Sequence, residues 1–233
     1  MIYRTRFKAN GEELVGRYVV PNRAMRPNLL FLHGAGEATK ERAQPLAIRL
    51  LEQYGVASFA FDFSGHGEST GTLGSSSLAK RVVEAKASLA DLDGAKPISI
   101  CAFSMGAHVA LRLLEERDVS ALILFYPAIY SVRAERLRFD AGFSAAIREP
   151  ESWRNATAAD RLASFRGNLL IIIGANDDVI PIGVIRMLDE RAIHAHKKEI
   201  LTIPNAGHRL LDTLLSEPDL FEAVTAKIGD YIA

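Results

Sequence analysis

The serine at position 104 stands at an abrupt change in the hydrophobic pattern of the chain. Ile98 to Phe103 is a nearly all-apolar run of strand length, and a helical pattern begins directly after Ser104. Small residues, Ala102 and Gly106, stand two positions before and two positions after the serine. This arrangement is typical of a nucleophile elbow, a strained turn from strand to helix in which neighbouring backbone leaves room only for small side chains. The usual pattern is G-x-S-x-G, so Ala102 departs from it by one methyl group.

A serine hydroxyl is almost unreactive at neutral pH and needs a base within hydrogen-bonding distance. Two later loops supply candidates, each placed directly after an apolar run. Asp177 and Asp178 follow one run, and His208 follows the next. We expect His208 to act as a general base and then as a general acid, with an aspartate that orients its ring.

These loops can meet only if the strands before them are parallel, and the order of the elements predicts such a sheet. Ile2 to Lys8 and Glu13 to Val20 flank Asn10-Gly11, which predicts an antiparallel hairpin at the start of the chain. Strands and helices then alternate, which favours an α/β fold: a mostly parallel sheet with helices on both faces. The predicted strands are Leu29 to Leu32, Val56 to Phe63, Ile98 to Phe103, Val119 to Tyr126, Leu169 to Ile173 and Glu199 to Ile203. Ligands collect at the carboxyl ends of such strands.

The stretch from Pro127 to Arg166 has no strand signal, and we interpret it as a small, mostly helical cap within a single domain of residues 1–233. Its aromatic residues could line a substrate pocket, or they could anchor the cap to the sheet. His66, from the loop after the second parallel strand, is a further candidate for the edge of the pocket. The aromatic candidates are Tyr130, Phe139, Phe143 and Trp153.

Composition excludes several classes of protein. The chain has 233 residues, and its 28 basic and 28 acidic side chains cancel, so nothing predicts a nucleic-acid or anionic-membrane partner. Cys101 is the single cysteine, so no internal disulfide can form. The first residues lack the apolar core of a signal peptide, and no apolar stretch reaches membrane-spanning length. We expect a cytoplasmic enzyme or binding protein; the oligomeric state is left open.

Five motifs in a fixed order carry a resemblance to a known family. They are H-G-A-G at His33, D-F-S-G-H-G-E-S at Asp62, A-F-S-M-G at Ala102, G-A-N-D-D-V-I-P at Gly174 and N-A-G-H at Asn205. Over nearly its full length the chain resembles the α/β-hydrolases of the serine esterase, lipase and aminopeptidase group, in which the serine, the acid and the histidine occur in this order.

The resemblance implies a catalytic triad of Ser104, Asp177 and His208, with no cofactor and no metal. It also implies an oxyanion hole formed by the backbone N–H groups of Ala35 and Met105, which would face the charge that develops on the carbonyl oxygen.

The choice of Asp177 over its neighbour depends on the family spacing. The acid stands three residues after a glycine and four before a proline, which selects Asp177 when counted from Gly174 and to Pro181. Asp178 is then expected to cap the helix that begins near Pro181.

The expected activity is hydrolysis of a small or medium carboxylic ester through an acyl-enzyme, because a short cap should leave the pocket open. The same triad also serves thioesterases, acylglycerol lipases, aryl or cinnamoyl esterases, peptidases and carbon–carbon hydrolases. A ligand receptor that kept the fold without turnover is the alternative from another class.

Overall fold

The sheet has the predicted alternating architecture. A computed structural model describes residues 1–94 and 96–232, and in this part of the chain eight strands form one sheet in the order β1-β2-β4-β3-β5-β6-β7-β8. Strands β3 to β8 run parallel to one another, whereas β2 pairs antiparallel with both β1 and β4. The predicted hairpin and mostly parallel sheet are confirmed. The strands are β1 (Ile2–Ala9), β2 (Glu12–Val19), β3 (Leu29–Leu32), β4 (Ser58–Phe61), β5 (Ile98–Phe103), β6 (Val119–Phe125), β7 (Asn168–Gly174) and β8 (Lys197–Ile203).

Helices cover both faces of the sheet because the central strands carry apolar side chains on both faces. In β3, Leu30 and Leu32 belong to one buried cluster, and Leu29 and Phe31 belong to the other. The first cluster lies under α2 (Leu78–Ser88), α3 (Gly106–Leu113) and α6 (Ile182–Arg191). The second lies under α1 (Gln44–Tyr54), α7 (Leu210–Ser216) and α8 (Pro218–Ile232). Across residues 1–94 and 96–232, none of the helices has the length and apolar character needed to cross a membrane.

The stretch after β6 contains short helical pieces. These are α4 (Val132–Arg136) and α5 (Ser144–Arg148), together with 3-10 helices over Ser152–Asn155 and Thr157–Ser164 and an irregular helical segment over Phe139–Phe143. A third, small apolar cluster joins this stretch to the start of α2 and to the residue after Ser104. Its buried members are Leu78, Met105, Ala134, Phe143 and Ala146, and Tyr130, Leu137, Phe139 and Ile147 pack against them.

Candidate active site

Ser104 lies in a strained turn between β5 and α3. Its φ angle is +49°, in the left-handed region that non-glycine residues rarely adopt. Three backbone hydrogen bonds hold this conformation: Ser104 N–H donates to Phe125 O at 2.9 Å, and Ser104 O accepts from the N–H groups of Ala107 and Ala128 at 3.0 and 3.1 Å. Such strain persists only where the surroundings over-determine it, and it is common at functional sites.

Gly106 is required because the end of β3 passes directly beside it. A Cβ atom at Gly106 would lie 2.8 Å from His33 O and closer still to Leu32 O, so any side chain would force the backbone apart. Ala102, two residues before the serine, is completely buried, so the fold accommodates its methyl group at this position. The close approach of β3 explains why the elbow needs the second glycine.

The His208 side chain reaches the serine from the loop between β8 and α7. Its Nε2 lies 3.2 Å from Ser104 Oγ, and its side chain is 23% exposed. The edge of the imidazole packs against the Tyr126 ring, with ring centroids 4.8 Å apart. This contact supports the imidazole, which is still partly accessible to solvent.

Asp177 orients the imidazole from the loop after β7. Its Oδ2 accepts from His208 Nδ1 at 3.0 Å, and its Oδ1 accepts from the backbone N–H groups of Val179 and Ile180 at 2.8 and 3.0 Å. With the proton on Nδ1, the lone pair of His208 Nε2 faces the serine hydroxyl. Asp177 can therefore fix the tautomer that a general base requires.

Asp178 takes no part in this arrangement. It is exposed, and α6 begins after Pro181 without any side-chain cap. The prediction that Asp178 caps this helix is therefore wrong. The backbone N–H groups of Val179 and Ile180, which precede the helix, donate to Asp177 instead.

Two backbone N–H groups beside the serine are free to bind a ligand. Among the hydrogen bonds of residues 1–94 and 96–232, neither Ala35 N–H nor Met105 N–H has a partner. The loop that carries Ala35 lies close to the nucleophile, since a Cβ at Gly34 would be 3.2 Å from Ser104 Cβ. Donors held in this way can stabilise a negative charge that develops on a carbonyl oxygen.

His33 braces the loop that carries Ala35. The N–H of Phe63 donates to His33 Nε2 at 3.0 Å, so the ring proton is on Nδ1, which donates to Gly34 O at 2.9 Å. Burial, with a smaller contribution from the Arg81 charge, lowers the pKa of His33 well below its ordinary value. His33 therefore stays neutral and keeps both bonds.

Arg81 is the site residue that motif reasoning missed. It is completely buried on α2, and its two terminal nitrogens donate to Gly34 O and to His66 Nε2, both at 3.0 Å. A signal was available, because Arg81 lies three residues after Leu78 and four before Ala85 and so shares their buried face. A charged residue on such a face needs a specific reason to be there.

His66 lies in this buried network and not at the edge of a pocket. It is 5% exposed, and its Nδ1 lies 3.3 Å from Ser64 O. Burial and then the Arg81 charge lower its pKa to about 4, so at neutral pH its Nε2 is free to accept from Arg81.

A cavity of about 320 Å³ opens beside Ser104 and His208. Arg42 and Arg209 also line it, and both pair with Asp212. The walls are mainly apolar and come from β3, β4, β5, the residue after β6 and the starts of α1 and α7; they include Phe31, Ala43, Ala60, Phe103, Tyr126 and Leu211. The site can therefore hold an apolar group directly beside a serine, a base and the free N–H of Ala35.

The aromatic residues of the cap do not line this cavity. Tyr130 packs edge-on against His108 of α3, with ring centroids 5.6 Å apart, and it also contacts Phe143. Phe139 lies over the Arg81 guanidinium. Trp153 packs on α6, where a Cβ at Gly183 would be 2.5 Å from its ring. Of the two roles open to these residues, the contacts favour anchoring, and the rings pack on the helices rather than directly on the sheet.

No other feature of the described residues offers equivalent chemistry. A larger groove of about 730 Å³ lies at the opposite end of the sheet, where Val119 and Asn168 begin β6 and β7, and no triad residue lines it. No group of three or more His, Cys, Asp or Glu side chains within residues 1–94 and 96–232 is arranged to hold a metal ion. Cys101 is buried in β5, and burial raises the pKa of its thiol well above the usual value.

The fold and the order of the motifs define an α/β-hydrolase. The family model of the serine aminopeptidases, S33, matches residues 23–147, more than half of the chain. The chain therefore belongs to the serine aminopeptidase S33 family, which confirms the resemblance drawn from the motifs.

Comparisons with individual proteins found a relative in sequence and solved structures of the same fold. An uncharacterised protein of Mycobacterium tuberculosis is 28% identical over 222 residues, covering 87% of this chain and 72% of that protein. An esterase of Pyrococcus furiosus has a similar structure, with a TM-score of 0.69, 24% identity and coverage of 99% of this chain and 91% of that one. Est1E of Butyrivibrio proteoclasticus, solved with ferulic acid bound, gives a TM-score of 0.72 at 20% identity over 98% and 99% of the two chains. At these identities the likeness of the two solved structures shows the fold.

Proposed function

We propose that this α/β-hydrolase is a serine esterase that cleaves small or medium carboxylic esters through an acyl-enzyme. The observation that carries the proposal is the relay of two hydrogen bonds from Ser104 through His208 to Asp177, with distances of 3.2 and 3.0 Å. A serine next to a base that is itself oriented by a third group is the arrangement that activates a hydroxyl nucleophile.

The first half of the reaction forms the acyl-enzyme. Ser104 Oγ attacks the ester carbonyl carbon while its proton passes to His208 Nε2, and Asp177 stabilises the resulting imidazolium. The carbonyl π bond opens to an oxyanion, which the N–H groups of Ala35 and Met105 stabilise. The oxyanion then reforms the carbonyl, the bond to the alkoxy oxygen breaks, and His208 protonates the departing alcohol.

The second half of the reaction releases the acid. A water molecule loses a proton to His208 Nε2 and attacks the acyl carbon through the same oxyanion geometry. Collapse of this intermediate breaks the bond to Ser104 Oγ, which regains its proton from the imidazolium. The net reaction is ester plus water to acid plus alcohol, and the enzyme returns to its starting state.

The cavity supports a small or medium acyl group. Its volume of about 320 Å³ is near the lower end of the range for ligand pockets, and apolar side chains make up most of its wall. An aminopeptidase would have to bind the free ammonium group of its substrate. No acidic side chain among the described residues lines this cavity. Its charged residues are Lys40, which pairs with Asp62, and Arg42 and Arg209, which pair with Asp212, so these carboxylates are already occupied. This charge pattern favours an ester over a peptide with a free amino terminus.

A fluorophosphonate probe and a substrate panel test the proposal. We expect the wild-type protein to be labelled stoichiometrically and Ser104→Ala to be unlabelled, with Ser99→Ala, a buried serine of the same strand, as the matched control. p-Nitrophenyl esters with two to eight acyl carbons should be cleaved faster than longer ones. The panel should include an aryl ester, a thioester, a monoacylglycerol and an aminoacyl anilide. No labelling of the wild type, equal labelling of Ser104→Ala, or faster cleavage of the anilide would contradict the proposal.

A further inference from the structure

Arg81 is a buried cation on the face of α2 that packs against the sheet, where apolar side chains are usual. The side chain is completely buried, its Nε has no hydrogen-bond partner, and no ion pair reaches it in the part of the chain that the structure describes. Burial lowers its pKa to about 10, so it is still a cation at neutral pH. The buried carboxylate of Glu84, also on α2, acts on Arg81 through its charge and raises its pKa, but it forms no salt bridge with the guanidinium. A buried charge without such direct pairing is costly, and an apolar side chain would fill this position at lower cost.

One of the two side-chain hydrogen bonds of Arg81 is to a backbone carbonyl of the loop that carries Ala35. Nη1 donates to the carbonyl oxygen of Gly34, which also accepts from Nδ1 of His33. The guanidinium is held in place by the ring of Phe63, 4.8 Å from its centroid, and by Nε2 of the neutral His66. Two donors therefore hold the carbonyl of the peptide that joins Gly34 to Ala35.

The orientation of that carbonyl determines where the N–H of Ala35 points. The chain has no cis peptide bond among the residues described, and in a trans peptide the C=O and the following N–H point in opposite directions. With Arg81 and His33 on the carbonyl side, the Ala35 N–H is directed away from α2. It has no partner within the described residues, and Ala35 lines the same cavity as Ser104.

We propose that Arg81 is a positioning residue for the oxyanion hole, acting through the peptide between Gly34 and Ala35. This inference rests on the proposed function. Arg81 fixes the rotation of that peptide, and a charged donor on its carbonyl oxygen also polarises the N–H at the other end of the group. Arg81 does not touch the substrate, so its effect is on the transition state more than on substrate binding.

The test compares a ligand that forms an oxyanion with one that does not. Ser104 Oγ adds to the carbonyl carbon of a trifluoromethyl ketone while the serine proton passes to His208 Nε2. The π electrons of the ketone carbonyl become an oxyanion, which occupies the hole. The secondary alcohol with the same chain cannot form this adduct. Direct removal of an oxyanion donor costs about 100- to 1,000-fold in rate, so we expect Arg81→Met to weaken ketone inhibition by about 10- to 100-fold. The affinity for the alcohol should change by less than about threefold, and kcat should fall more than KM rises.

A matched control and a second variant separate this role from general stability. Arg117→Met removes an arginine that also donates to backbone carbonyls, those of Asp93 and Lys96, but at the opposite end of the sheet. It should leave the ratio of ketone to alcohol affinity unchanged. If Arg81→Met does not fold, Arg81→Lys is measured instead. Its single ammonium group can reach only one of the two acceptors, so ketone inhibition should weaken by about 3- to 10-fold.

The outcomes distinguish this inference from the proposed function. A folded Arg81 variant whose ketone-to-alcohol ratio equals that of the wild type overturns the role of Arg81 while esterase activity still stands. A wild-type protein that neither hydrolyses esters nor reacts with fluorophosphonate overturns the proposed function itself. An equal loss of affinity for ketone and alcohol would mean that Arg81 supports only the packing of the loop.

Discussion

Asp177 Oδ2 lies 3.0 Å from His208 Nδ1, while the adjacent Asp178 is exposed. Two adjacent aspartates therefore have different environments, so the same substitution at each of them forms a matched pair of variants.

Asp177→Asn should lower kcat/KM by about 1,000- to 10,000-fold, because an amide cannot stabilise the imidazolium and favours the wrong tautomer of His208. Asp178→Asn should stay within about threefold of the wild type. Steady-state hydrolysis of p-nitrophenyl butyrate measures both. Comparable losses in the two variants would show that the geometry around Asp177 does not determine activity.

Gly106→Ala should destabilise the protein, because the added methyl group would collide with the carbonyl oxygens of Leu32 and His33. Overpacking of this kind costs about 2–3 kcal/mol in the free energy of unfolding, equivalent to a Tm lower by about 4–12 °C in a chain of this size. Gly94→Ala is the control, since nothing lies within 4 Å of the added atom there. Differential scanning calorimetry measures the difference, and a Gly106→Ala protein as stable as Gly94→Ala would contradict the steric argument.

Ala60→Leu should shorten the range of accepted acyl chains, because Ala60 lines the cavity beside Ser104. Each methylene group that loses its place in an apolar pocket costs about 1–3 kcal/mol, so the kcat/KM ratio of octanoate to acetate ester should fall at least 10-fold. Trp153→Phe, in the cap, should leave the chain-length profile unchanged. If the acyl chain-length profile changed in Trp153→Phe and not in Ala60→Leu, the acyl group would bind at the cap and not in this cavity.

The free energy of unfolding should decrease as the pH falls from about 6.5 to 4, in part because of His66. Its folded-state pKa of about 4 lies below the ordinary value of 6.5, so in this window the unfolded chain binds a proton that the folded protein does not. The contribution is fully present above pH 6.5 and is lost as the pH falls toward 4. One such proton gives a slope of at most about 1.4 kcal/mol per pH unit.

Urea unfolding at a series of pH values tests this linkage. His66→Gln should flatten the slope between pH 6 and 4.5, whereas His194→Gln, at an exposed position, should not. An unchanged slope in His66→Gln would mean that His66 does not titrate differently in the folded protein.

Local chemistry was readable from the amino-acid sequence. Ser104 and Gly106 are recognisable because an elbow constrains its own neighbours, and the alternation of apolar runs with helical patterns predicted the sheet that places the loops of Asp177 and His208 at one edge. These features depend on short-range sterics and periodicity, so they are visible in one chain without coordinates.

Only the tertiary structure decided the contacts between distant segments. It placed Asp177, the residue that the family spacing selects, against His208, whereas residue type alone does not distinguish it from Asp178. It placed Arg81 behind the Gly34 carbonyl, and it formed the cavity from β3, β4 and α7 while the aromatic residues of the cap turned toward α2, α3 and α6. The physical reason is that side-chain identity and periodicity specify which face of an element is buried, whereas the partner on that face depends on how the elements pack against one another.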